Sequence, residues 1–386
     1  MVFLKKITFA GPMNNLGYGI HFTNIAEKAI RMEHGDNLAI FPTSKTINGS
    51  KELEKRIVDS YCFNQKGKVI YLYHLSGLHT LSGGYRVGYS VFELDTFTPM
   101  EINNINQVDE LWVVSKWAKE IVHSYIPDKV IRIIPEGVDT QVFNDQGTFI
   151  DYGKKNALNI VNVGKFEKRK GHLVFLEALN YVDRGIDINI IAKWNNHFIR
   201  NFDKTIIDIL ARYNFHYCDN IEKEDAYKAM LFKSLENPRL SLELVTTDHP
   251  KPQFLRNIYR SGDLGVYPYF AEGWNLPLIE SMACGLPCIA SFCTGPTEYL
   301  NKKNHISLTK FVKEIAYDGL FFNGKSGTWN AVTVKELVEK LNTNIKNIST
   351  LKSISKEAIK TAHEFSWEHS AMKMMEILKN EKPFNE

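Results

Sequence analysis

The sequence has few cysteines and lacks the spacing patterns of metal-binding or redox cysteines. Its 386 residues include five cysteines, an odd number, with no Cys-x-x-Cys pair. In a chain of this length that usage argues against a disulfide framework and predicts reduced thiols in a cytoplasmic protein. Three of the five lie close together, which is compatible with metal ligands, but each stands where a small residue would pack on a helix or strand. We therefore expect no metal there. The five are Cys62, Cys218, Cys284, Cys288 and Cys293.

Long apolar runs and a strong net charge are also missing. No run of 18 apolar residues occurs, and Lys5 and Lys6 interrupt the first segment, MVFLKKITFAGPMNN. We expect a cytoplasmic protein, for which peripheral contact with a membrane remains open. The net charge of +3 is too small to indicate a nucleic-acid coat, although local basic clusters are compatible with phosphate ligands. With 44% hydrophobic and 24% charged residues, the composition is that of a folded protein.

Short apolar runs alternate with amphipathic stretches along the whole chain, without internal repeats. This pattern predicts an α/β fold of parallel strands joined by crossover helices. A polar run from Asn144 to Ala157 interrupts the rhythm, so we place a domain boundary at residue 150. We expect two doubly wound units. The predicted strands are KKITFAG, NLAIFP, KVIYLYHL, RVGYSVFE, ELWVVS and VIRIIPEGV, then LNIVNVG, DINIIAKW, DLGVYPYF, LPCIASF and GLFFNG, with an uncertain patch from Leu210 to Thr247.

Two glutamates flank a predicted helix start in YFAEGWNLPLIESMACGLPCIAS. Asn275 is a good N-cap and Pro277 fits the first turn, so Glu272 lies in the preceding loop and Glu280 about one turn inside the helix. The amides of Gly273 to Leu276 are left unpaired at such a start and attract anionic or hydroxylated groups. A carboxylate that accepts from two hydroxyls suits a sugar diol. The alternative is that both acids only compensate the helix dipole.

A second stretch, NIVNVGKFEKRKGHLVFLEAL, places cations between a strand and a helix. Cations beside a helix N-terminus are unfavourable for the dipole, so a bound diphosphate would relieve the conflict. The alternative is a solvated basic loop. The residues concerned are Gly164, Lys165, Lys168, Arg169, Lys170 and Gly171.

Two further loops follow predicted strands. ASFCTGPTEYL places Thr294, Gly295 and Glu298 where loop amides make an anion-binding concavity. GPMNNLGYGIHF places Gly17 and Gly19 after the first strand, where missing side chains allow close approach to a diphosphate or sugar. The third glycine of a dinucleotide fingerprint is absent there, and a simple tight turn is the alternative.

These motifs resemble a known family. KFEKRKG, EGWNLPLIESMACGLPCIAS and TGPTE, in this order, look like the donor half of GT-B glycosyltransferases, specifically the retaining glycosyltransferase family 4. ELWVVSKWAKEIV and IPEGVDTQVF resemble its last N-domain elements and connector, and FSWEHSAMKMMEIL its terminal helix. The resemblance implies two Rossmann-like domains facing a central cleft. Residues 1–150 would form the acceptor side, 151–363 the nucleotide-sugar side, and 364–386 a helix that crosses back to the first domain.

The resemblance also implies residue roles. Lys165 and Lys170 would bind the donor diphosphate, although the family more usually has Arg at the first position. Glu280 would hold the ribose hydroxyls. Glu272 would hold the transferred sugar, together with the amides of Gly273, Trp274, Asn275 and Leu276, and Thr294, Gly295 and Glu298 would complete the pocket. Many members carry a His near the anomeric carbon, where this chain offers Glu93 or, on the preceding strand, His74. We rank Glu93 first.

The expected activity is retaining transfer of a hexosyl or pentosyl group from a UDP- or GDP-linked sugar, without a metal or other cofactor. The expected acceptor is a hydroxyl of a glycan or polysaccharide. Glycosylation of modified DNA is a less favoured reading of the sequence, based on Lys66, Lys68 and Arg86. Two further hypotheses are a nucleotide-sugar epimerase of the same fold and a non-catalytic module that binds a sugar nucleotide.

Overall fold

A computed structural model describes residues 7–59, 66–80, 82–153, 156–195, 236–245, 249, 251–318 and 322–380. Cys62, Cys218 and most of the uncertain patch from Leu210 to Thr247 lie outside these ranges. The chain divides into two compact units. Unit 1 comprises Met1–Asp139, Thr294–Glu298 and Glu364–Glu386, and unit 2 comprises Thr140–Cys293 and Tyr299–His363.

The helices and strands follow one another as the apolar rhythm predicts. The strands are β1 Ile7–Met13, β2 Leu38–Lys45, β3 Lys68–Leu72, β4 Tyr85–Ser90, β5 Glu110–Val113, β6 Ile131–Ile133, β7 Leu158–Lys165, β8 Ile188–Asn195, β9 Leu240–Val245, β10 Leu264–Tyr267, β11 Cys288–Ser291, β12 Ile306–Leu308, β13 Phe311–Tyr317 and β14 Asn323–Val332. The described helices are α1 Gly17–Ala29, α2 Lys51–Glu54, α3 Pro99–Gln107, α4 Lys116–Tyr125, α5 His172–Asn180, α6 Pro252–Arg260, α7 Leu276–Ala283, α8 Val334–Ile345, α9 Lys352–Glu364 and α10 Trp367–Asn380.

Unit 1 is built on a six-stranded parallel sheet of order β2-β1-β3-β4-β5-β6. Helix caps fix its crossovers. Thr98 and Glu101 form a capping box at the start of α3, and the Ser115 hydroxyl accepts from Ala118 N at 3.1 Å at the start of α4, as predicted for Ser115. The terminal helix α10 packs against α1, and Val138 pairs with Ser366 just before α10 begins. The chain therefore returns to unit 1, in agreement with the expected crossover helix.

Unit 2 is built on a second six-stranded parallel sheet, of order β12-β11-β10-β7-β8-β9. Its central strands are apolar on both faces, with Ile160, Val161, Ile190 and Val266 fully buried, because helices cover a doubly wound sheet on both sides. The predicted fold class, two doubly wound parallel sheets, is confirmed.

One predicted strand was placed in the wrong sheet. GLFFNG was expected to continue the parallel sheet, but its described end, from Asn323, begins β14, which pairs with β13 as an antiparallel hairpin. The last strand of the parallel sheet is instead β12, in NHISL. Polar residues surround the short apolar pair of β12, so its hydrophobic signal was weaker than that of the hairpin.

Within the described residues, no helix is long and apolar enough to cross a membrane.

Candidate functional site

The predicted site residues of unit 2 lie where its strand order reverses. Strand β7 has β8 on one side and β10 on the other, and ligands of open α/β sheets bind beside the carboxyl ends of strands at such a point. The basic turn, residues 165–171, begins at the end of β7, and the acidic loop, residues 268–275, follows β10. Gly171, at the end of the turn, has a φ of 72°, and a Cβ atom on it would lie 2.0 Å from the Pro268 carbonyl oxygen. Only glycine allows the two loops to approach this closely.

Arg169 joins the two loops from the middle of a 3-10 turn, Lys168–Lys170. Its side chain is buried, with 4% of the residue exposed. One guanidinium nitrogen donates to the Ala271 carbonyl oxygen at 2.7 Å and lies 2.8 Å from a Glu272 carboxylate oxygen, and the other lies 3.0 Å from Glu167. This planar, multiply bonded geometry suits arginine in particular. The alternative of a solvated basic loop is therefore wrong for Arg169.

Glu167 is the acidic counterpart inside the basic turn. Its carboxylate lies 2.8 Å from the Lys165 ammonium and 3.0 Å from Arg169. Burial by itself would raise the pKa of Glu167, but Arg169, Lys165 and Lys170 outweigh it and lower the pKa to about 2. Glu167 is thus ionised at neutral pH and holds the cations of the turn together.

Glu272 is buried, with 4% of the residue exposed, between Arg169 and Lys170. Arg169 contacts one oxygen of the Glu272 carboxylate, and Lys170 contacts the other. Burial would raise the pKa of Glu272, but the two cations outweigh it and hold the pKa below its ordinary value. The structure brings together Lys165, Lys170 and Glu272, to which the resemblance assigns roles. Arg169, a member of the predicted basic stretch, and Glu167, which sequence reasoning did not single out, link them.

The start of α7 follows the acidic loop directly, as predicted. Asn275 precedes the helix and Pro277 lies in its first turn. However, the Asn275 side chain makes no capping hydrogen bond, and its backbone is left-handed at a φ of 72°, so the predicted capping role is wrong. Leu278 N and Ile279 N donate to the Asn275 carbonyl oxygen, so the amides from Gly273 to Leu276 precede the helical hydrogen-bond ladder. They line the helix start where anionic groups bind.

The side chains of Trp274 and Glu280 are buried in the interior of unit 2. Trp274 is buried, and the Tyr299 hydroxyl donates to its carbonyl oxygen at 2.8 Å. Trp274 thus presents its backbone, rather than its ring, at the helix start. Glu280 is buried on α7, and one of its carboxylate oxygens accepts from the Tyr259 hydroxyl at 2.8 Å. Sequence reasoning did not find Tyr259, because it lies on α6, far from the motif.

A small pocket opens among these loops, with room for about one water molecule. It is lined by Asn162, Val163, Lys170, His172, Tyr267, Tyr269 and Asn275.

The predicted residues of unit 1 gather at the carboxyl end of its own sheet. His74 follows β3, and its ring centroid lies 4.3 Å from that of Tyr18. The Tyr18 hydroxyl donates to Val91 O at 2.5 Å, two residues before Glu93. Burial raises the pKa of Tyr18, and the nearby Glu93 carboxylate contributes in the same direction. Tyr18, which was not predicted, therefore links the two candidates His74 and Glu93.

Gly17 and Gly19 lie in α1 instead of a loop after β1. A Cβ atom on Gly19 would lie 2.2 Å from Asn14 O, so its missing side chain serves the packing of the chain on itself. A Cβ atom on Gly17 would meet nothing within 4 Å.

The segment Thr294–Glu298 belongs to unit 1. Thr294 has a φ of 54°, and a short 3-10 helix, Gly295–Glu298, follows. The Glu298 carboxylate accepts from Lys116 N at 2.7 Å, at the start of α4. Glu298 therefore occupies a helix N-terminus, where a carboxylate is favourable.

The three described cysteines, Cys284, Cys288 and Cys293, are buried free thiols. Burial raises the pKa of the Cys288 thiol to about 12, so it is protonated at neutral pH. Among the described residues no three His, Cys, Asp or Glu side chains are grouped as a metal site.

Comparison with known protein sequences gives matches to part of the chain. Residues 223–317 match a family described as Glycosyl transferases group 1. A segment of 126 residues is 30% identical to D-inositol 3-phosphate glycosyltransferase from Rhodococcus opacus (strain B4). It covers 32% of this chain and 24% of that relative, so the match spans about a quarter of the relative's length.

Solved structures match nearly the whole chain. HepE from Anabaena, in complex with UDP and glucose, superposes with a TM-score of 0.65 and 13% identity, covering 98% of this chain and 100% of that one. Sucrose-phosphate synthase from Thermosynechococcus elongatus gives a TM-score of 0.64 and 12% identity, covering 97% and 98%. The chain has the GT-B fold of these proteins, and its predicted GT-B fold is confirmed.

Proposed function

We propose that this GT-B chain is a retaining glycosyltransferase that uses a UDP- or GDP-linked sugar and transfers a hexosyl or pentosyl group to an acceptor hydroxyl. The observation that carries the proposal is the buried charge network of unit 2. Glu167 holds Lys165 and Glu272 holds Lys170, and Arg169 bridges the two carboxylates beside the amides that precede α7. Cations held in fixed positions next to the backbone amides of a helix start form a site for a diphosphate.

The same network stabilises the leaving group of the proposed reaction. When the sugar–phosphate bond breaks, negative charge develops on the diphosphate. Lys165, Lys170 and the amides from Gly273 to Leu276 are oriented before the reaction, so stabilising this charge requires no rearrangement of their side chains. We propose that these groups act without a metal ion.

The two acids have separate proposed roles. Glu280, oriented by Tyr259, accepts from the ribose hydroxyls of the donor. Glu272 holds Lys170 in place and binds the transferred sugar together with the loop amides. We assign acceptor recognition to unit 1, with Glu93 ranked ahead of His74 as the side chain near the reacting carbon. A glycan or polysaccharide is the proposed acceptor.

Relatives support a nucleotide-sugar donor. HepE has been solved with UDP and glucose and also with UDP-glucose. The partial match to a D-inositol 3-phosphate glycosyltransferase and to the Glycosyl transferases group 1 family points to the same reaction class.

A thermal-shift screen of UDP-, GDP-, ADP- and CMP-sugars tests the donor. A ligand that binds only the native state raises the melting temperature, so we expect a shift with a UDP- or GDP-sugar. Lys170→Ala should abolish the shift, and Lys346→Ala should keep it, because Lys346 forms an exposed pair with Asp183 on another part of unit 2. Absence of a shift with every nucleotide sugar would overturn the proposal.

Product analysis then tests the reaction. NMR of the glycoside should show the anomeric configuration of the donor, and activity should persist in EDTA. Inversion would exclude the retaining mechanism. A new sugar epimer formed from donor alone would identify a nucleotide-sugar epimerase instead.

A further inference from the structure

The small pocket in unit 2 contains a histidine that the proposed function does not use. His172 is the first residue of α5, directly after Lys170 and Gly171, and only 2% of it is exposed. Its Nδ1 atom has no hydrogen-bond partner among the residues that the structure describes. A buried ring nitrogen without a partner costs free energy unless a small polar molecule satisfies it.

The His172 ring is held in place by aromatic contacts. It stacks on Phe166 at a centroid distance of 5.3 Å and an interplanar angle of 3°, and it lies 4.7 Å from the Trp194 ring. A Cβ atom on Gly164 would lie 3.6 Å from its Nε2 atom, so the edge of the ring borders Gly164. Nδ1 therefore has a fixed position.

His172 is neutral at ordinary pH. Burial, followed by the positive charge of Lys170, lowers the pKa of His172 to about 3. A neutral imidazole carries one N–H donor and one acceptor nitrogen. Its Nδ1 atom is then suited to a hydrogen bond with an uncharged polar molecule beside a cation.

Two polar side chains of the pocket wall, Asn162 and Tyr269, already have partners. The Asn162 amide donates to Val266 O and accepts from Trp194 Nε1 at 2.5 Å, and the Tyr269 hydroxyl donates to Ser291 O. Lys170 has three N–H donors, and among the described residues its ammonium pairs with Glu272. Asn275 makes no capping bond with its side chain. The groups suited to a bound molecule are therefore His172, Lys170 and Asn275, together with the Tyr267 hydroxyl, which has no hydrogen-bond partner among the described residues.

We propose that this pocket is a buried water site and that His172 is a positioning residue for Lys170 and Asn275. One water that bonds His172 Nδ1, the Lys170 ammonium and the Asn275 amide has the usual three partners of a buried water. It connects the basic turn after β7 to the start of α7. Its effect on donor binding rests on the proposed function, whereas its presence does not.

His172→Phe removes the ring nitrogen atoms but keeps an aromatic ring, so it distinguishes the role of the nitrogen atoms from that of ring packing. Phenylalanine keeps the stacking on Phe166 and the contact with Trp194 but offers no hydrogen bond to a water. If the water orients Lys170, the variant should raise the KM for the nucleotide sugar by about 3- to 10-fold, with a smaller change in kcat, since one net hydrogen bond is lost. A ring needed only for packing would leave KM unchanged.

The direct test is a high-resolution crystal structure of the full ligand-free chain. We expect one ordered water roughly 2.6–3.2 Å from His172 Nδ1 and within the same reach of the Lys170 ammonium. The same structure of His172→Phe should lack it. ¹⁵N NMR of the wild-type ring should show a neutral, hydrogen-bonded Nδ1 that does not titrate from about pH 5 to about pH 8.

A pocket without water in the wild type, or a wild-type KM in a correctly folded His172→Phe protein, would overturn the proposal. The wild-type crystal structure and NMR spectra decide it even if the variant does not fold. They also separate the two hypotheses. A wild-type chain that binds no nucleotide sugar contradicts the proposed function, whereas the water site is judged on the free protein.

Discussion

The Glu272 carboxylate lies 2.8 Å from the Arg169 guanidinium, and both side chains are buried. A buried ion pair of this kind is a weak source of net stability while both partners are present. Its loss on one side is costly, because the other charge then stays buried without compensation. The pair therefore makes the stability of the two loops dependent on one carboxylate.

Glu272→Ala should lower the free energy of unfolding by about 3–5 kcal/mol, the usual cost of breaking a buried pair. The matched control is Glu314→Ala in the same unit. Glu314 pairs with Lys168 at 3.0 Å, but its side chain is 40% exposed, so the expected cost is about 0–1 kcal/mol. Urea unfolding of the two variants measures the difference. Equal losses would show that Glu272 is not part of a buried network.

Gly171→Ala should destabilise the chain much more than Gly153→Ala. Both glycines have a φ of 72°, so both substitutions introduce left-handed strain of about 1–2 kcal/mol. Only at Gly171 does the new Cβ atom meet a neighbour, the Pro268 carbonyl oxygen at 2.0 Å, while nothing lies within 4 Å at Gly153. Melting temperatures of the two proteins, recorded under one set of conditions, make the comparison. Similar shifts would mean that the two loops do not approach as described.

The alternation of apolar runs was sufficient to predict the two parallel sheets, because buried parallel strands have a strong local signal. The local sequence was also sufficient to place Ser115 at a helix N-terminus and Pro277 in the first turn of a helix, because these positions depend on nearby residues only. The reversal of strand order at β7 then brings the loops after β7 and β10 together, which explains why Lys170 and Glu272 were predicted for one site although they are far apart in the chain.

The parts that were not predicted depend on long-range contacts. Arg169 reads like any other member of a basic run, and only folding shows that it is the buried link to Glu272. Tyr259 reaches Glu280 from another helix, and no local pattern marks it. Asn275 is of a residue type that commonly caps helices, but its backbone is left-handed and its side chain makes no capping hydrogen bond.

Tyr259→Phe should weaken donor binding without altering the fold. The variant removes one hydroxyl, whose bond to a carboxylate at 2.8 Å orients Glu280. Hydrogen bonds to charged groups contribute about 1.5–3 kcal/mol, so we expect a loss of about tenfold or more in affinity for the nucleotide sugar. Isothermal titration calorimetry measures the affinity for the nucleotide sugar. The same measurement with UDP or GDP, which carries the ribose but no transferred sugar, shows whether the contact with the ribose is weakened. Unchanged affinity for both ligands would contradict the role proposed for Glu280.

Glu167→Gln should reduce the acid sensitivity of the chain. The pKa of Glu167 is about 2 in the folded protein against 4.5 as its ordinary value, so its contribution is present above pH 4.5 and is lost as the pH falls toward 2. The variant should therefore be less stable at pH 7 and should lose less further stability from about pH 5 to about pH 3. Denaturant unfolding at several pH values measures both effects. Parallel pH profiles for variant and wild type would contradict the ionised, paired state of Glu167.

The proposed function requires that a nucleoside diphosphate bind in unit 2 between the basic turn and the start of α7. A crystal structure of the chain with the UDP- or GDP-sugar that gives the largest thermal shift tests it most directly. We predict diphosphate oxygens within hydrogen-bond distance of Lys165, Lys170 and the amides from Gly273 to Leu276, and a ribose on Glu280. A nucleotide bound elsewhere, or none at a saturating concentration, would contradict the account.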